Sequence, residues 1–276
     1  MLDLGSLRVP APAVMGILNV TPDSFSDGGR FLDPDAALRQ AASMAEDGAA
    51  ILDIGGESTR PGADSVGEQE ELDRVIPLVE AIVAQTGMPV SIDTSKPGVM
   101  REAVAAGATM INDVRALQDD GALEAAAELQ VAVCLMHMQG QPRTMQDAPH
   151  YDDVVAEVAG FLEQRLDACI AAGIDEDRVV LDPGFGFGKA PQHNIELLAN
   201  LRQLQVRGRP LLVGVSRKST LGVLTQRTVD DRLAASVAGA VMAVVNGAAI
   251  IRAHDVRETV DALKVASAII EAGRKV

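Results

Sequence analysis

At 276 residues and 47% hydrophobic content, the chain has apolar material enough for one large α/β domain or two small ones. A formal charge of −15, with no basic block to offset it, argues against nucleic acid or an anionic membrane surface as a partner. No apolar run is long enough to span a bilayer and Met1 opens without a signal-peptide profile, so the expected setting is a reducing cytoplasm, with Cys134 and Cys169 as buried free thiols.

The opening residues, LDLGSLRVPAP, predict a short strand or hairpin closing one end of the domain. From Val14 a cycle begins. VMGILNV (14–20) suits a strand buried on both faces, and it breaks at Asn19 into the polar, glycine-ended loop TPDSFSDGG. A helix follows at 34–47, with Pro34 in its first turn. AILDIGG (50–56) is strand, and 68–85 is an amphipathic helix with acidic residues at its start. PVSID (89–93) is strand, and the short helix 96–106 is expected to take its cap from Ser95. MINDV (110–114) precedes a helix at 121–129, and VAVCLMH (131–137) precedes a long helix at 152–172 ended by Gly173. The last strands, 179–184, 211–216 and 249–255, lead into helices near 191–205, 230–246 and 256–273.

Buried strands alternating with helices imply a parallel sheet. Eight such units with no linker or composition shift predict a single domain over 1–276, folded as an α/β (β/α)8 TIM barrel with a short N-terminal strand or hairpin. A doubly wound open sheet is the structural competitor.

A barrel places its active site at the carboxyl ends of its strands. Every inferred strand end here carries polar side chains: Asn19; Asp53 and Glu57; Asp93; Asn112 and Asp113; His137; Asp182; Ser216, Arg217 and Lys218; Arg252, His254 and Asp255. Any one of them is explained by a helix cap or a solvated loop, but a full ring of mixed charge predicts an enzyme site. Arg60, Arg252 and His254, with the amide of Asn19, suit phosphate or pyrophosphate. Asp93, Asn112 and Asp182 offer acceptors and donors to a flat heterocycle, and a carboxylate matches two adjacent N–H donors. Phe25, Phe187 and Pro61 sit on loops where they can sandwich an aromatic ring or simply pack on the barrel rim.

The strings GILNVTPDSFSDGG, GAAILDIGGESTRPGA, SIDTSKP, MINDV, LDPGFGFGK, GVSRKS and IIRAHDV, in this order, resemble the dihydropteroate synthases, the folate-pathway target of sulfonamides. The resemblance runs from about Val14 to the last helix and implies a (β/α)8 fold, a cytoplasmic enzyme and commonly a homodimer. The implied reaction joins 6-hydroxymethyl-7,8-dihydropterin pyrophosphate to p-aminobenzoate with Mg²⁺ assistance. By motif position, Asp93, Asn112, Asp182 and Lys218 would hold the pterin. Asn19, Thr59, Arg60, Arg252 and His254 would bind the pyrophosphate, with Asn19 also meeting the metal. Phe25, Pro61, Phe187, Lys218 and Ser219 would form the p-aminobenzoate pocket, Ser219 at a helix start. Asp27, Arg60, Lys218, Arg252 and His254 would carry the catalysis, with the first loop (Ser24, Phe25, Asp27) and the second closing over the substrates.

Three readings compete. A corrinoid-type folate-binding methyltransferase domain shares the barrel and the pterin pocket but does not need the DSFSDGG and STRPG loops. A pterin-binding paralogue without activity is the second, and a barrel enzyme acting on a sugar phosphate is the third. The run GFGFGK falls one residue short of a phosphate-binding P-loop and lacks its Ser or Thr. His137 is expected to be a cleft-wall or packed residue, and Met136, Met138 and Met145 packing residues. Apolar residues on more than one face of the last two helices (VAGAVMAVV, VASAII) are compatible with a dimer interface.

Overall fold

The computed structural model describes residues 1–20, 34–58, 65–141 and 144–273. The chain opens as an antiparallel hairpin, β1 (Leu2–Asp3) and β2 (Arg8–Val9), with Leu2 opposite Val9. Then come β3 (Ala13–Asn19), β4 (Ile51–Gly55), β5 (Val90–Asp93), β6 (Met110–Asp113), β7 (Ala132–Met136), β8 (Val179–Asp182), β9 (Leu211–Val213) and β10 (Ala248–Ala253). These are parallel and neighbour one another in chain order. β10 returns to pair with β3, Ile250 opposite Ala13 and Arg252 opposite Met15. The sheet is therefore a closed barrel; an open doubly wound sheet would have left two edges unpaired.

The helices are α1 (Pro34–Glu46), α2 (Glu68–Thr86), α3 (Pro97–Ala105), α4 (Ala122–Leu129), α5 (Val154–Ala171), α6 (Pro191–Ala199), α7 (Ser219–Thr225), α8 (Leu233–Val245) and α9 (Val256–Gly273). Two differ from expectation. The helix predicted at 191–205 stops at Ala199, because Asn200 turns its own side chain back onto the Glu196 carbonyl and leaves the helical region; a 3-10 turn, Leu201–Leu204, follows. The expected Ser95 cap of α3 is absent: Ser95 donates to the Asp113 carboxylate instead, and Lys96 begins the helix without a side-chain cap. No described helix is long and apolar enough to cross a membrane.

Period-two alternation sorts the strand residues into two cores. In β6, Met110 points into the barrel while Ile111 packs outward under the helices; in β7, Ala132 and Cys134 point in while Val133 and Leu135 point out. Leu4, Leu7 and Val9 of the hairpin join the inner cluster with Ala13, Met15, Ile51, Met110 and Ile250. The hairpin thus stoppers the N-terminal end of the cylinder, as the sequence predicted. On the outside, Gly16 lets α1 and α9 lie close against β3: a Cβ there would stand 2.9 Å from Met44 Sδ and 3.2 Å from Val256 Cγ2. Both cysteines are buried and unpaired.

Candidate active site at the C-terminal mouth of the barrel

The alternation that makes the inner core apolar at the strand starts turns polar at the strand ends. Arg252 (β10), Asp53 (β4), Asp93 (β5) and Asn112 (β6) form one bonded cluster. Arg252 donates from Nε to Asp53 Oδ2 at 2.6 Å and from Nη2 to Asp93 Oδ2 at 2.8 Å, while Asn112 Nδ2 donates to Asp53 Oδ2 at 3.1 Å. Asp53 is fully buried, and Asp93 and Asn112 are nearly so. One guanidinium serves two carboxylates. Burial works against the Arg252 charge, but Asp53 and Asp93 outweigh it and hold the group protonated above its ordinary range. Burial also lifts Asp93, with Asp53 beside it and against the pull of Arg252, to about 7. Among the described residues Arg252 Nη1 takes no hydrogen bond, so donors remain for a ligand.

The facing wall comes from β8 and the loops after β8 and β9. Asp182 is buried, accepts from the Gly184 N–H at 2.7 Å through Oδ1, and has its pKa raised by burial against the pull of Lys218. Lys218 donates to the Phe185 carbonyl and stands 4.7 Å above the centre of the Phe187 ring. Burial, with Arg252 adding to it, lowers Lys218 to about 8 despite the attraction of Asp182. Ser219 follows as the first residue of α7 and is exposed.

The loop bearing Phe187 is tied from beneath by Lys189. Its Nζ contacts His137 Nδ1 at 2.8 Å and donates to the carbonyls of Gly184 at 2.9 Å and Phe187 at 3.0 Å. Burial lowers this lysine to about 7, and burial together with Lys189 lowers His137 to about 3. At Gly184, φ is +69° and a Cβ would lie 1.8 Å from the His137 carbonyl oxygen, so only glycine fits between loop and strand end. His137 is a packed residue, edge-on to Phe161 with ring centres 4.9 Å apart. Met136 and Met145 are buried packing residues, and Met138 is half-buried.

Cys134, inside β7, lies beneath the site. Burial raises its thiol pKa well above the usual value, and Asp182, Asp53 and Asp93 all raise it further. The two walls come together beside Gly214, where a Cβ would lie 3.7 Å from Arg252 Cβ and 3.9 Å from Lys218 Nζ. The sequence-predicted Asp93, Asn112, Asp182, Lys218, Phe187 and Arg252 are thus brought together. His254 holds its Nδ1 3.0 Å from Ser216 Oγ. Asn19 ends β3, and its Oδ1 faces Gly55, where a Cβ would lie 3.7 Å away. Other polar strand ends are structural. Asp113 accepts from the backbone N–H groups of Arg115 and Leu117 at 2.8 Å each, and Arg217 pairs with Asp255. Glu57 pairs with Lys96, which also reaches buried Glu71 at 2.5 Å. The candidate residues Ser24, Phe25, Asp27, Thr59, Arg60 and Pro61 lie outside the described residues.

Sequence reasoning gave no role to Asp53, Lys189 or Asn194. Asp53 sat in view as a strand-end acid, inward by register with Ile51. Lys189 closes LDPGFGFGK, a string that carries part of the resemblance and falls short of a P-loop; the usable signal is a lone lysine ending a glycine-rich loop beside a strand-end histidine. Among the described residues no three His, Cys, Asp or Glu side chains are grouped to hold a metal ion.

Residues 15–254 match the family model for pterin binding enzymes. The dihydropteroate synthase of Haemophilus influenzae is 54% identical over 259 residues, 94% of each chain. A structure of Xanthomonas albilineans dihydropteroate synthase with 4-aminobenzoic acid superposes with TM-score 0.89 at 56% identity, covering 94% of this chain and 93% of that one. Another from that organism, in complex with 7,8-dihydropteroate, gives TM-score 0.88 at 52% identity over 97% of this chain and 98% of the other.

Proposed function

The chain belongs to the dihydropteroate synthases of the pterin-binding enzyme family, and from that premise we propose how the mouth of its barrel does the work. It condenses 6-hydroxymethyl-7,8-dihydropterin pyrophosphate with p-aminobenzoate, giving 7,8-dihydropteroate and pyrophosphate. The observation that carries this reading is the buried Asp53–Arg252–Asp93–Asn112 cluster facing Asp182, Lys218 and Phe187.

The bicyclic pterin presents an amino group beside a ring N–H. Asp182 accepts from that edge, and Asn112 and Asp93 complete the set of donors and acceptors. Lys218, which keeps its proton at neutral pH, donates to a ring acceptor. Arg252 Nη1, which donates no hydrogen bond among the described residues, binds the diphosphate together with His254; Asp53 holds the guanidinium in place from below. The reacting carbon is conjugated to the pterin, so its bond to oxygen breaks to leave a delocalised cation, and the electron pair departs with pyrophosphate. The neutral aniline nitrogen of p-aminobenzoate then forms the new C–N bond and gives up a proton to water or to the leaving group. Nothing in this sequence needs a dedicated general base. Phe187 stacks the aromatic ring of p-aminobenzoate, and Ser219 meets its carboxylate. Asp27, Thr59, Arg60, Phe25 and Pro61 belong to the same reading by their motif positions and lie outside the described residues.

Mg²⁺ fits as the counter-ion of the diphosphate. It favours oxygen ligands, keeps several waters and is commonly bound by one or two protein oxygens plus substrate phosphates, a set that Asn19 Oδ1 beside the side-chainless Gly55 can complete. When bound, it neutralises part of the leaving group's charge. A homodimer belongs to the proposal too. Val223 and Leu224 of α7, Met242 and Val245 of α8, and Val265 and Ile269 of α9 are exposed, a surface suited to a second copy. Light scattering on a size-exclusion column should give twice the chain mass; a monomer at micromolar concentration overturns it.

The reaction is tested by pyrophosphate release. Release requires both substrates together. Release with the pterin substrate alone, or methyl transfer from a methylated folate, rejects the assignment.

A further inference from the structure

The pocket walls that carry Phe187 and Ser219 come from different segments, the loop after β8 and the start of α7. Lys218 bridges them on the pocket side, donating to the Phe185 carbonyl and standing over the Phe187 ring, and one buried side chain ties them from behind. Asn194, in α6, is 2% exposed. Its Oδ1 accepts from the Gly186 N–H at 2.8 Å, and its Nδ2 donates to Thr220 Oγ1 at 3.0 Å and to the Ala190 carbonyl at 3.0 Å. The bonded atoms lie one residue before Phe187 and one residue after Ser219. Only an amide can accept from a backbone N–H and donate to a hydroxyl at once here; Asp lacks the donor and Leu lacks both. The packing around the link is loose: a small apolar cavity lies against it, lined among others by Phe185, Ile195, Leu198, Val215, Leu221 and Leu224. Beside the flexible side chain of Lys218, the buried amide is the rigid link between loop and helix and sets their separation.

We propose that the Asn194–Thr220 hydrogen bond is a positioning device that sets the distance between Phe187 and Ser219, and so governs capture of the aryl carboxylate without acting on the heterocycle. This rests on the reading above that Phe187 and Ser219 line the p-aminobenzoate pocket. The Asp53–Arg252–Asp93–Asn112 cluster stands on β4, β5, β6 and β10 and among the described residues shares no hydrogen bond with Asn194, so that wall of the heterocycle's site is held independently of the link.

The decisive variant is Thr220→Val, which keeps the shape and deletes the acceptor while Asn194 Nδ2 keeps its bond to Ala190. Losing one buried hydrogen bond predicts a KM for p-aminobenzoate raised about fivefold, with kcat within about twofold of the parent. Pterin affinity by calorimetry stays at the parent value. Thr220→Ser, which retains the hydroxyl, returns KM to that value, and Asn194→Leu exceeds the effect of Thr220→Val. Unchanged KM in Thr220→Val, pterin affinity falling in step, or Thr220→Ser behaving like Thr220→Val overturns the inference. Phe187→Ala separates it from its premise. A raised KM there with Thr220→Val unchanged rejects the positioning role alone, whereas no effect in Phe187→Ala removes the pocket and the inference together.

Discussion

The two ends of this barrel are built from the same strands and do opposite things. At the N-terminal end, the apolar side chains of Leu4, Leu7 and Val9 plug the cylinder against Ala13, Met15, Ile51 and Met110. Two residues further along β4 and β6, the same inward face holds Asp53 and Asn112. Burying a leucine side chain contributes about 1.5–3 kcal/mol, whereas burying a carboxylate costs free energy unless it is paired and hydrogen-bonded. One end therefore holds the fold, and the other spends stability to hold a guanidinium and three carboxylates where a ligand can reach them.

The sharpest way to break that contrast is Asp182→Ala. It removes a charged acceptor from the heterocycle's donor edge, and losing two charge-assisted hydrogen bonds weakens pterin binding by about a thousandfold or more in calorimetry. Unaltered pterin affinity rejects the assignment of this wall. At the other end, Leu7→Ala opens a cavity in the plug and lowers the unfolding free energy by about 2–4 kcal/mol in a urea titration. Its KM and kcat should match the parent at temperatures where it remains folded. A fall in kcat without unfolding would mean that the ends are coupled through the barrel and the division is false.

Much of this division was legible in the sequence. An apolar strand that ends in a polar residue announces which end is the mouth, and Asp93, Asn112, Asp182 and Arg252 stand at that end. What it could not give was partnership. Asp53 lies 199 positions from Arg252, and only closure of β10 onto β3 brings them within a hydrogen bond. Ser95 misled for the same reason: a serine before a proline-started helix is a good local cap, but its hydroxyl donates instead to a carboxylate from the neighbouring strand, Asp113. Asn194 carries no local signal at all, because the loop and helix it joins meet it only in three dimensions.

The smallest effect expected is also the one that tests the cost side of the contrast. Burial raises Asp93 from 3.8 to about 7, so the folded protein holds this proton after the unfolded chain has released it. The sign follows. The contribution is fully present below about pH 4 and is lost as pH rises through about 7, and between pH 5 and pH 8 it changes by about 2–3 kcal/mol. Asp93→Asn keeps the shape and an oxygen for Arg252 but has no proton to lose. Subtracting its stability from the parent's, by urea unfolding at pH 5 and pH 8, should show the parent losing ground at the higher pH. Lys189 and Lys218 titrate in the opposite sense, with folded values lowered to about 7 and about 8, but both proteins carry them and they cancel in the difference. Parallel stability curves would mean that Arg252 keeps Asp93 ionised throughout, and that the mouth bears its two carboxylates on one guanidinium without the help of a proton.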